Sequence, residues 1–219
     1  MDLSPQDQLL EALLDRDITL FCELLKREDV NPNHRYEKPH YSTCLEIACR
    51  RIGCDEFVRA LLQYVKPNIN QIHPEPIHHA AKRGHYEALK ILLDDKRTKV
   101  NAVDSSGRSA LHFAVKEFGK GGLEDSEIRS EKCVELVMRH QDVNINLPNN
   151  KNFTPTFEAA FQGGKKAVEA MLKYAKMFDK SIELDGNTGM GKTARAVITE
   201  KYPELEHQLP STRRSGFYE

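Results

Sequence analysis

Five stretches of this chain share one skeleton, and that repetition limits the possible folds more than any other property of the sequence. They read TCLEIAC at 43–49, EPIHHAAKRGH at 75–85, GRSALHFAV at 107–115, FTPTFEAAFQGG at 153–164 and GKTARAVI at 191–198. The residues in the shared first slot are Thr43, Glu75, Ser109, Thr154 and Thr193, separated by 32, 34, 45 and 39 positions. A unit this short cannot bury an apolar face alone, whereas stacked copies bury a continuous one. The local chemistry agrees. Thr or Ser in the first slot is a helix N-cap, Thr154-Pro155 adds a residue that needs no donor there, and Thr43-x-x-Glu46 is a capping box.

The second half of each unit is also periodic. ITLFCELLKREDVNPN (18–33), EFVRALLQYVKPNIN (56–70), YEALKILLDDKRTKVN (86–101) and EKCVELVMRHQDVNIN (131–146) place apolar residues at helical spacing and close on Asn. KKAVEAMLKYAKMFDKSIEL (165–184) is longer and looser, and residues 6–14 pair with 18–26 as a first helix pair. Each unit therefore reads as helix, turn, helix and chain reversal.

These segments resemble the ankyrin signature T-P-L-H-x-A-A-x-x-G-H, the second almost residue for residue. The resemblance implies an all-α ankyrin-repeat solenoid of helix-turn-helix units with short finger loops. The expected divisions are a capping pair at 1–40, repeats at 41–72, 73–103, 104–147 and 148–185, a capping partial repeat at 186–210 and a tail at 211–219. Against a period of about 33, the long gaps leave insertions of about 12 and 6 residues. The first is placed at 116–130, where Gly119, Gly121, Gly122 and acidic residues suit a mobile loop without regular structure. His78 and His112 fill the family's His slot, where the ring bonds within or between repeats.

Ankyrin proteins commonly bind a protein partner in a concave groove lined by first helices and fingers. The positions so placed here are Arg50, Arg51, His79, Lys82, Arg83, Lys116, Glu117, Glu158 and Gln162. The fingertip residues Ser106, Arg108 and Lys151 extend that surface. Two other features tempt and are set aside. GNTGMGKT at 186–193 fits the P-loop pattern through Gly186, Gly191, Lys192 and Thr193. Yet Gly191 and Thr193 are already the Gly-x-Thr of the last repeat, so they read as a turn and a cap. Around His73, His78, His79 and His85 no Cys or carboxylate completes a four-ligand set at zinc spacing, and neighbouring helix positions point to different faces. No enzyme chemistry, cofactor or metal is expected.

Composition excludes further classes. In 219 residues, 32 Lys and Arg balance 33 Asp and Glu to a net charge of −1, which argues against a generic nucleic-acid binder. No apolar run approaches the roughly 20 residues of a membrane helix, and MDLSPQDQ has no signal-peptide core. Five cysteines without a C-x-x-C pair read as reduced thiols of a cytosolic chain. More particularly, GKTARAVITEKYPEL (191–205) and VNINLPNNKNFTPT (143–156) are similar to the N-terminal ankyrin region of insect TRPA-type, painless-like cation channels. That resemblance implies the cytosolic part of a tetrameric, membrane-spanning, calcium-permeable sensory channel at the plasma membrane. A free-standing ankyrin adaptor or inhibitor, acting on a cytosolic or nuclear protein, is the alternative. A P-loop NTP-binding protein is a remote one.

Overall fold

The computed structural model describes residues 3–37, 42–64, 76–118 and 125–211. The first-slot Glu75, His73, the three glycines of the expected insertion and nearly all of the expected tail lie outside these. Helices run in pairs: α1 (Pro5–Leu14) with α2 (Ile18–Leu24), α3 (Cys44–Arg50) with α4 (Asp55–Tyr64), and α5 (Pro76–Lys82) with α6 (Tyr86–Asp94). Next come α7 (Ala110–Lys116) with α8 (Ser126–Arg139), and α9 (Pro155–Glu158), which reaches α10 (Lys165–Met177) through the turn that follows it. A short π-helical turn, Ala159–Gly163, continues α9; α11 (Ala194–Lys201) and a 3-10 turn, Pro203–Gln208, close the stack.

The pairs stack in two layers. The first helices α1, α3, α5, α7, α9 and α11 touch in succession, and so do the second helices α2, α4, α6, α8 and α10. Among the described residues there is no strand, only the single antiparallel pairs Tyr36–Ser42 and Val103–Ser109 in the fingers. The buried apolar residues form one continuous core from Leu9 to Leu205. Small residues let the first helices approach, with Ala48, Ala80, Ala81, Ala114, Ala159 and Ala160 all buried.

The caps lie where the first slot places them. Thr43, Thr154 and Thr193 side chains accept the amides of Glu46, Phe157 and Ala196, and Glu46 returns the bond to the Thr43 amide at 2.7 Å. Between paired helices the chain turns through the left-handed region at Gly53 (φ +79°) and Gly84 (φ +65°). The insertion is a correction. Helix α8 begins at Ser126 and runs 14 residues, so 126–130 is helical rather than loop. Ser130 and Cys133 face inward against the stack, and this burial draws the acidic segment into a helix.

Candidate functional site: the first-helix layer and fingers

The residues that follow the small pairs end α3, α5 and α7, and the structure brings most of them together. Arg50, Arg51, Lys82, Arg83 and Glu117 line one cleft, joined by Arg16 from the α1–α2 turn and Arg129 from α8. The cleft encloses about 550 Å³. Three guanidinium groups are steered by neutral partners. Arg50 donates to the His79 ring (3.2 Å), Arg51 to the Leu14 carbonyl (3.4 Å) and Arg16 to the Ile52 carbonyl (3.3 Å). Burial first, then the cations around it, lowers the His79 pKa to about 3, so this ring stays neutral.

Arg16 and Arg129 escaped sequence reasoning because neither falls in the signature. One trace was available for Arg16. It occupies the turn position filled by Gly53 and Gly84 in the next two units, and it adopts φ +62°. A left-handed backbone disfavours a non-glycine residue by about 1–2 kcal/mol, and such strain marks positions held for another purpose.

Other expected contact residues do different work. Glu158 is a correction: it is 2% exposed and lies 3.8 Å from Lys116. Its position follows the His slot and faces the neighbouring repeat, as the buried Ile47 and Phe113 in the same register do. Arg108 is clasped within its finger by Asp104 (2.6 Å), with its guanidinium 4.5 Å from the centre of the Phe113 ring. Ser106, Lys151 and Gln162 are exposed.

The fingers are tied to one another. The Ser106 carbonyl accepts the Asn150 amide (3.0 Å), Asn150 Nδ2 donates to the Ser105 carbonyl (3.1 Å), and the Lys151 carbonyl accepts the Gly189 amide (3.2 Å). Behind them His78 and His112 each bond a carbonyl of a following finger, at Ala102 and Phe153, both at 2.9 Å.

The P-loop look-alike is one of these fingers. Gly191 turns at φ +69°, Thr193 caps α11, and exposed Lys192 pairs with Glu200 (2.7 Å). Three of the loop amides that would face a phosphate already have partners. Gly189 donates to the Lys151 carbonyl, Gly191 to the Thr188 carbonyl and Met190 to Thr188 Oγ1. Gly186 lies beyond this turn, in the approach from α10. The thiols offer no reactive centre in the core: burial pushes Cys44 up to about 11 and Cys133 up to about 12. Among the described residues no group of three or more His, Cys, Asp or Glu is placed to hold a metal, and no helix is long and apolar enough to cross a membrane.

Comparison with known proteins agrees with this geometry. Residues 45–124 match the family model described as "Ankyrin repeats (3 copies)". The chain is also similar to the crystal structure of EF0377, an ankyrin repeat protein. The match is 21% identical, covers 93% of this chain and 96% of that one, and has a TM-score of 0.70. At that identity the likeness speaks for the fold. The chain therefore folds as an ankyrin-repeat solenoid, and residues 45–124 are ankyrin repeats in sequence as well.

Proposed function

We propose that this chain is a protein-interaction module, not an enzyme, that binds its partner across the first-helix layer and the fingers. The observation that carries this is the finger-to-finger bonding at Ser106–Asn150 and Lys151–Gly189. It presents exposed Ser106 and Lys151 on a backbone already ordered, so less conformational freedom is lost on binding, and exposed Gln162 stands on the π-helical turn that continues α9. Photo-crosslinking side chains placed at 106, 151 or 162 should capture a partner. The same group at Lys90, exposed on α6 of the second layer, should not. Capture from Lys90 alone would overturn the placement.

A finer reading rests on the resemblance of residues 143–156 and 191–205. On it, we infer that the array is the cytosolic N-terminal part of a TRPA-like, calcium-permeable cation channel, tetrameric in the plasma membrane. The free-standing adaptor is its rival. The transcript beyond codon 219 separates them: membrane helices support the channel, and a stop codon supports the adaptor.

A further inference from the structure

The cations of the cleft exceed what the fold itself requires. Arg50, Lys82 and Lys116 end helices, where a cation complements the carbonyl terminus. Each terminus carries roughly half a negative charge, so α3, α5 and α7 together offset only about one and a half. Six cations line the cleft: Arg16, Arg50, Arg51, Lys82, Arg83 and Arg129. Among the described residues only Arg129 of these has a carboxylate partner, Glu87 at 3.7 Å, and Glu117 is the one acidic lining residue. In a chain of net charge −1, this is a strong local excess.

The geometry points to an acidic segment of a partner protein, lying extended in this cleft from the end of α1 to the end of α7. This deepens the interaction reading above and rests on it. Neutral partners aim Arg16, Arg50 and Arg51 without cancelling their charge, which is how a carboxylate site is prepared in advance. Arg16 holds a turn that glycine occupies in the neighbouring units, so its side chain is kept against a backbone cost. The length of the site favours a peptide over a single headgroup. Neighbouring helices lie about 8–10 Å apart, so three steps from α1 to α7 cover roughly 24–30 Å. An extended chain rises about 3.3 Å per residue, so about eight residues span the cleft, with one acidic side chain roughly every third position. A planar bilayer meets ridges, whereas these charges line a recess.

The test uses the full chain and a fluorescein-labelled peptide, Glu-Gly-Ser repeated three times, followed by anisotropy at about 50 mM salt. Saturable binding is expected, weakening as salt rises, and tighter than for a peptide of the same composition with its glutamates adjacent. Lys82→Glu with Arg83→Glu should weaken it by about tenfold or more. The milder Lys82→Gln with Arg83→Gln should give a smaller loss in the same direction. Arg16→Gly is the discriminating variant, because it should weaken binding while leaving the melting temperature unchanged or higher. No saturable binding, or binding indifferent to the Lys82 and Arg83 changes, would overturn the assignment. So would phosphatidylserine vesicles binding in a Lys82- and Arg83-dependent way when the peptide does not. If crosslinks from 106, 151 and 162 capture a partner while the peptide fails, only this inference falls and the interaction module stands.

Discussion

His112 joins two repeats through one ring: its Nδ1 accepts the Ser109 amide at 3.1 Å, and its Nε2–H donates to the Phe153 carbonyl at 2.9 Å. The first bond closes the cap of α7 and fixes the tautomer for the second. Replacing His112 with Ala leaves the buried Ser109 amide unpaired and removes one of the two bonds to the Phe153 carbonyl, which keeps the Asn149 amide, at an expected cost of about 1–3 kcal/mol. Chemical denaturation checks this. A loss below about 0.5 kcal/mol would mean the ring does not bridge the repeats.

The same ring gives stability a pH dependence of known sign. Burial lowers the His112 pKa to about 4 and the His79 pKa to about 3, below the ordinary value of 6.5. Above pH 6.5 both folded and unfolded chains carry neutral rings and stability is flat. Between 6.5 and about 4 the unfolded chain takes up protons that the folded chain refuses, so stability falls with pH. The urea midpoint should drop from pH 7.5 to pH 5, and His112→Asn should shallow that drop. A midpoint that rises on acidification would contradict the burial of both rings.

Much of this was legible in the sequence, and the failures have physical reasons. Thr43, Ser109, Thr154 and Thr193 mark helix starts because capping is local chemistry, written within four residues. Glu158 is expected in the groove from its place in the signature, yet the slot it fills is a buried one, as Ile47 and Phe113 show. The carboxylate turns inward beside Lys116. The helical start of α8 was hidden because its support is tertiary, from residues such as Cys133 packed on the stack. Arg16 and Arg129 are far apart in sequence and meet only when the repeats stack.

Ala81 is 2% exposed in the best-formed repeat. Ala81→Asp puts an unpaired charge between first helices and should cost several kcal/mol, about 3 or more. A melting temperature near that of the parent chain would mean that Ala81 does not lie in the interface.

Two adjacent glycines should respond differently. A Cβ at Gly163 would overlap the Val115 carbonyl oxygen and the Ala167 side chain, whereas at Gly164 (φ +83°) it would meet nothing. Gly163→Ala is therefore expected to destabilise by about 2–4 kcal/mol through overpacking. Gly164→Ala should lose only the conformational term, about 1–2 kcal/mol. Thermal unfolding of both variants decides, and the reverse order would contradict the close approach of α7 to the π turn.

At the last finger, Thr193→Ala should destabilise α11 by about 1 kcal/mol through the lost cap. Calorimetry with ATP or GTP and magnesium should show no saturable heat, because the Gly189, Met190 and Gly191 amides already have partners and Lys192 is paired with Glu200. Nucleotide binding abolished by Lys192→Ala would reverse the assignment of residues 186–193.

Amide hydrogen exchange on the chain, alone and with its captured partner, tests the interaction surface most directly. Slowed exchange is expected in the fingers at 104–109 and 149–153 and at the C-terminal ends of α3 and α5, with α4, α6 and α10 unchanged. Slowing confined to those second-layer helices would contradict binding through the first-helix layer.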